Sequence, residues 1–149
     1  MAMTESSKIQ PEIKHMVIMH CDGLGASVAN ALSDQGHKIY VIDDRMESFD
    51  RLPKNKIDNG DITPIIGDGT IKNHLARTSM DNADVFMALS DIDSRNAMAG
   101  QMAKHIFKIP RVICRIDDPE RQKMYNSLGL YCISARTFAT QMVVEAAKA

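Results

Sequence analysis

Met16-Val17-Ile18-Met19-His20-Cys21-Asp22-Gly23-Leu24-Gly25 is the stretch that decides the fold. Four apolar residues in a row are too few for a buried helix and suit a strand covered on both faces, and the polar, glycine-containing turn that follows ends the run. From Ala26 to Gln35 the apolar residues Val28, Ala29, Ala31 and Leu32 recur at helical spacing, and Gly36 stands where a helix stops. Outward from this strand-turn-helix unit the cycle repeats. Strands are expected at Lys38 to Ile42, Thr63 to Ile66, Val85 to Leu89, Arg111 to Arg115 and Tyr131 to Ile133. Between and after them come a short helix Met46 to Leu52 broken by Pro53, and helices at Ile71 to Arg77, Ser94 to Ile106, Glu120 to Leu128 and Ala135 to Ala147. Pro53 to Asp61 reads as a surface loop. Apolar strands that alternate with helices imply a parallel sheet covered on both faces. Right-handed crossovers then make it a doubly wound, six-stranded, Rossmann-like α/β domain.

The composition agrees with one such domain. The 149 residues suffice for a single substantial core, with residues 1–14 read as a loose leader and 15–149 as the domain. Lys+Arg 18 against Asp+Glu 19 excludes a strongly basic nucleic-acid surface. Nothing approaches the roughly 20 apolar residues that cross a bilayer, and Met1 to Lys14 lacks a signal-peptide core, so a cytoplasmic chain without membrane insertion is expected. Cys21, Cys114 and Cys132 lie far apart without CxxC spacing, which suits buried free thiols rather than a disulfide or metal site. Most of the 11 methionines, Met98 and Met102 among them, read as core packing.

In an open parallel sheet the ligand crevice lies outside the carboxyl ends of the strands, so the residues just after each strand are the candidates. The first turn supplies His20, Asp22, Gly23 and Leu24. Asp43 and Asp44 follow the second strand, and Asp43 is either a carboxylate for a ribose diol or the cap of the next helix. After the third strand, Gly67-Asp68-Gly69-Thr70 offers two places of close backbone approach and an acceptor in Asp68; its simpler reading is a turn capped by Thr70. Ser90 and Asp91 line a phosphate region or merely begin a helix capped by Asp93. Arg115 pairs with phosphate, or with Asp117, Asp118 or Glu120.

The order of these motifs resembles the KTN, or TrkA-N, domain, the amino-terminal half of an RCK domain in regulators of potassium channels, transporters and antiporters. The resemblance is carried by Val41-Ile42-Asp43, by Gly67-Asp68-Gly69-Thr70, and by Ala88-Leu89-Ser90-Asp91 with Asn96. It continues through Arg111-Val112-Ile113-Cys114-Arg115, Asp118-Pro119-Glu120 and Leu128-Gly129 before Ile133-Ser134. It implies a domain that dimerises and is not an enzyme. It also implies a site with Asp43 at the ribose, Asp68 and Gly69 beside the adenine, Ser90 near the sugar-phosphate and Arg115 reaching toward phosphate. The ligand it implies is NAD(H) or an adenine mononucleotide, and the partner a membrane potassium channel, transporter or antiporter subunit. The family's second regulatory half has no counterpart in this sequence, which leaves a free-standing subunit and a cytoplasmic piece of a larger protein both open.

The first turn departs from the family's G-x-G-x-x-G. His20 stands at the first glycine, Asp22 at the second, and only Gly25, the packing glycine, remains. Asp22 puts a charge against a ligand phosphate, and one like-charge pair at about 4 Å costs on the order of 4 kcal/mol near a surface, about a thousandfold in affinity. AMP or ADP is therefore favoured over NAD(H) or ATP. A dimerising scaffold with a decayed nucleotide site is the alternative. An NAD-dependent oxidoreductase fragment is disfavoured because no residues remain for a substrate domain. The last helix, with Phe138, Met142, Val143 and Ala146 on one stripe, is expected in a homodimer contact.

Overall fold

The computed structural model describes residues 12–149; most of the expected leader lies outside the described residues. The chain runs β1 (His15–Met19), α1 (Gly23–Asp34), β2 (Lys38–Asp43), a 3₁₀ turn (Met46–Arg51), α2 (Lys54–Asp58), β3 (Ile62–Ile66) and α3 (Lys72–Leu75). It continues through β4 (Val85–Ala88), α4 (Asp93–His105), β5 (Arg111–Arg115), α5 (Pro119–Ser127), β6 (Tyr131–Ile133) and α6 (Ala135–Lys148). The six strands form one sheet in the order β3-β2-β1-β4-β5-β6, and every pairing is parallel. The order reverses between β1 and β4, so the chain crosses from one half of the sheet to the other there, and the carboxyl ends of those two strands flank a crevice.

β1 is central because, after the exposed His15 at its start, it is apolar throughout. Met16, Val17, Ile18 and Met19 are all buried, and alternate residues feed two cores. Val17 and Met19 join Phe86, Ala88, Val112 and Cys114 beneath α3 and α4, while Met16 and Ile18 join Ile39, Val41, Val85 and Met87 beneath Ala26 and Ala29 of α1. The expected α/β architecture is borne out.

Several local expectations are corrected. The helix expected from Ala26 begins at Gly23, because Asp22 caps it: its backbone is extended and its Oδ1 accepts from the Gly25 amide at 2.9 Å. The stretch Pro53 to Asp61 holds α2 instead of being only loop; Pro53, fixed in φ, stands at its N-terminal boundary. The helix expected over Met46 to Leu52 is a 3₁₀ turn, and the one expected over Ile71 to Arg77 tightens into 3₁₀ geometry after Leu75. Asp93 does not cap α4; Ile92 holds that position without a side-chain bond, and the Asp93 carboxylate accepts from the amides of Asp117 and Asp118 instead. Met98 is 57% exposed while Met102 packs on the core, so the two do not share a buried stripe. All three cysteines are free, Cys21 and Cys114 buried and Cys132 half-buried.

Candidate nucleotide site

The turn after β1 follows the path a glycine would give, without the glycine. His20 holds φ at +84°, in the left-handed region that a non-glycine residue enters at a cost of about 1–2 kcal/mol. Its amide donates to the Ile42 carbonyl at 2.8 Å, which locks the turn to β2. Gly25 is the one residue here that must be glycine: a Cβ on it would lie 2.1 Å from the His20 carbonyl oxygen, so helix and turn could not approach as they do. Gly69 meets a similar demand, since a Cβ there would lie 2.4 Å from the Met19 side chain.

Asp43 ends β2 with its side chain almost wholly buried, and its two oxygens are committed to the main chain. Oδ2 accepts from the Cys21 amide at 2.8 Å and Oδ1 from the Arg45 amide at 2.9 Å. Neither expected role describes this arrangement fully: Asp43 does not cap the following 3₁₀ turn, whose flanking residue is Arg45, and it ties the loops after β1 and β2 together. His20 bridges this carboxylate and the next, with Nδ1 3.4 Å from Asp43 Oδ2 and Nε2 3.7 Å from Asp22 Oδ2. Burial, with the Asp43 charge adding to it and Arg51 opposing, pushes the Cys21 thiol up to about 11.

The loop after β3 is organised by Asp68. Its Oδ1 accepts from the Thr70 amide at 2.9 Å and the Thr70 hydroxyl at 2.7 Å. It also receives the Arg95 guanidinium from the first turn of α4 at 2.9 Å. Burial works to raise the Asp68 carboxyl, but the Thr70 hydrogen bonds and the Arg95 charge outweigh it and hold the group below the usual carboxylate range.

After β4, the buried Ser90 and Asn96 form one network. Asn96 Oδ1 accepts from the Ser90 amide and hydroxyl, and its Nδ2 donates to the carbonyls of Ser90 and Arg115 at 2.8 Å. The Arg115 guanidinium turns to Asp117 at 3.4 Å.

Among the expected residues, His20, Asp43, Asp44, Gly69 and Ser90 converge on one crevice at the switch point, together with Met19, Ile42 and Arg95. Its volume is only about 20 Å³. A second cavity of about 320 Å³ opens beside it, where His20, Asp22, Asp43 and Asp44 face Arg45, Glu47 and Arg51. Four expected residues border neither of these, and of them Asp68 reaches the crevice only through its ion pair with Arg95. Gly23 borders a cavity of about 260 Å³ on the flank of α1, with Arg51. Leu24 lines an apolar groove of about 560 Å³ with Ile133 and Phe138, and Arg115 borders neither the crevice nor the 320 Å³ cavity. Sequence reasoning missed Arg95 and Arg51. Arg95 was within reach of it, because a first-turn residue of the helix after β4 faces the same edge as Ser90. Arg51 was not, because the course of a 3₁₀ turn decides where it points.

Strand order and crossover define a Rossmann-like α/β domain with its crevice at the switch point. Residues 16–135 match the family model described as the TrkA-N domain, and the chain belongs to that family. It is 35% identical over 130 residues to the Trk system potassium uptake protein TrkA of Streptomyces coelicolor, covering 87% of this chain and 56% of that protein. The chain thus spans about half the length of the curated relatives it matches. In fold it is similar to the TrkA-N domain of the inner membrane protein ybaL from Escherichia coli, with TM-score 0.75, 10% identity, and coverage of 91% of this chain and 97% of that one. The Kef C-terminal domain of Shewanella denitrificans, in AMP-bound form, superposes with TM-score 0.72 at 18% identity, covering 90% of this chain and 80% of that one. GsuK structures bound to ADP and to NAD are similar in fold, each at 17% identity, with TM-scores of 0.65 and 0.64; they cover 84% and 83% of this chain and 32% and 22% of theirs.

Proposed function

We propose that this chain is the regulatory nucleotide-binding domain of a potassium-transport system, sensing an adenine nucleotide and passing its occupancy through a homodimer to a membrane channel, transporter or antiporter subunit. The observation that carries this is the convergence of His20, Asp43, Asp44, Gly69 and Ser90 at the switch point, in a chain of the TrkA-N family. Its support includes the AMP, ADP and NAD named for proteins of similar fold. The adenosine lies at the carboxyl edge of β1 and β2, with its ribose toward Asp43 and Asp44 and its base toward Asp68 and Gly69. The chain's role is binding, not catalysis. It acts on the cytoplasmic side and reaches the membrane through its partner; among the described residues no helix is long and apolar enough to cross one.

AMP or ADP is preferred to NAD. The amide of Gly25, one of the donors that a helix N-terminus offers to an anion, is already taken by the carboxylate of Asp22. A pyrophosphate would have to displace that carboxylate and then face its charge. The dimer contact is assigned to α6, none of whose residues is buried. Phe138, Met142 and Val143 present an apolar stripe to solvent, beside the groove lined by Leu24 and Ile133.

One observation favours a second reading, a dimerising scaffold with a decayed site: the crevice is narrow and the Arg95–Asp68 ion pair crosses beside it. Calorimetric titration of the purified chain with AMP, ADP, ATP and NAD separates the two. Saturable binding of AMP or ADP, tighter than NAD, is expected. No heat with any of the four would leave the scaffold reading standing. Sedimentation should give a dimer that Phe138→Asp dissociates, and a strict monomer at high concentration would remove the transmission step.

A further inference from the structure

The nucleotide reading leaves its phosphate without a seat, because Asp22 has replaced the glycine that would let the phosphate approach and its carboxylate holds the Gly25 amide. The 320 Å³ cavity contains four carboxylates, those of Asp22, Asp43, Asp44 and Glu47, against the two guanidiniums of Arg45 and Arg51. A phosphate entering it meets net repulsion unless a cation is free to face it. Three arginines border the crevice and its neighbouring cavities. Arg45 is paired with Glu47 at 3.2 Å and Arg95 with Asp68 at 2.9 Å. Arg51 alone of the three pairs with no carboxylate among the described residues. Its Nη1 makes one long contact of 3.5 Å, donated to the Cys21 carbonyl, which holds the guanidinium against the turn after β1.

The position of Arg51 is equally specific. It ends the 3₁₀ turn Met46–Arg51 and borders both the 320 Å³ cavity and the 260 Å³ cavity on the α1 flank, where Ser27 and Asn30 add polar side chains. A sugar placed over Asp43 and Asp44 therefore has Arg51 as a wall of the same cavity. Guanidinium is also the side chain whose planar fork matches a phosphate.

We propose that Arg51 is the phosphate-binding residue of this site, replacing the glycine turn as the seat for a phosphomonoester on the ribose of a mononucleotide. The inference rests on the nucleotide-sensing reading and adds its phosphate seat and its preference for mononucleotides. A phosphate on the 5′ or on the 2′ oxygen presents the same chemistry to Arg51.

The test is titration of the purified chain and of Arg51→Gln with adenosine, 5′-AMP and 2′-AMP. At least one monophosphate should bind tenfold or more weaker to Arg51→Gln, with adenosine unchanged; the monophosphate that suffers identifies the ribose oxygen. Arg51→Lys, which keeps the charge and loses the fork, should fall between the two. Because Arg51 is exposed, both variants should melt with the parent chain. Parent-like binding of both monophosphates by Arg51→Gln overturns the inference and leaves the nucleotide reading intact. An equal loss for adenosine and the monophosphates overturns it too, since Arg51 would then shape the site without holding phosphate. If the parent chain binds none of the three, the nucleotide reading and this inference fall together.

Discussion

Replacing Arg95 by alanine should tighten nucleotide binding while slightly destabilising the fold. The Arg95 side chain is 38% exposed and that of Asp68 27%, so their 2.9 Å pair is largely screened and contributes about 0.2–1 kcal/mol. Asp68 is not stranded by the loss, because both Thr70 bonds remain. Chemical denaturation at pH 7 should therefore show a loss below about 1 kcal/mol. If adenosine enters the crevice by parting Arg95 from Asp68, the same energy returns as affinity, up to about fivefold in Kd for AMP by calorimetry. The pH dependence has a definite sign. The folded-state Asp68 carboxyl is held below its ordinary value, so its contribution is complete above about pH 4 and is lost as pH falls through the folded-state value. The stability gap between the parent chain and Arg95→Ala should close in acid and in high salt. Unchanged or weaker AMP binding by Arg95→Ala would refute the reasoning, because the ion pair would then not guard the route in.

His20→Gly removes the φ of +84° from a side-chain-bearing residue and should stabilise the fold by about 0.5–1 kcal/mol, after the greater freedom of glycine in the unfolded chain is deducted; a clear drop in melting temperature would contradict it. Asn96→Ala strips four hydrogen bonds from a residue with no exposed surface and should cost about 3 kcal/mol or more in urea unfolding. A loss under 1 kcal/mol would mean that water or relaxation replaces the network. Thiol labelling at pH 8 should modify half-buried Cys132 first and spare Cys21 and Cys114. Burial pushes the latter two up to about 11 and about 12, so each stays protonated as well as covered. Rapid labelling of Cys114 in the folded chain would count against this.

The sheet was legible because apolar runs such as Met16 to Met19 and Val85 to Leu89 admit few readings once they alternate with helical stretches. Element ends were less so, and each miss has a local cause. The start of α1 was hidden because glycines at 23 and 25 suggest a turn, whereas the Asp22 carboxylate makes them the first turn of a helix. Met98 carries the residue type of a core position and still faces solvent, since helical spacing gives a stripe without saying which side is covered. At the site, five of the residues expected after the strands meet at one crevice. Their bonding could not be foreseen. That Asp43 serves two amides, and that Arg95 and Arg51 differ in whether a carboxylate claims them, depends on loop paths that no periodicity encodes.

The most direct test of the whole account is an amide-resolved NMR titration of the ¹⁵N-labelled chain with AMP. Saturable shifts should concentrate at residues 20–25, 43–51, 67–70 and 90–96, the loops at the carboxyl ends of β1 to β4 and the 3₁₀ turn that carries Arg51. Silence at those amides, or shifts confined to α5 and α6, would contradict the claim that this edge of the sheet receives an adenine nucleotide.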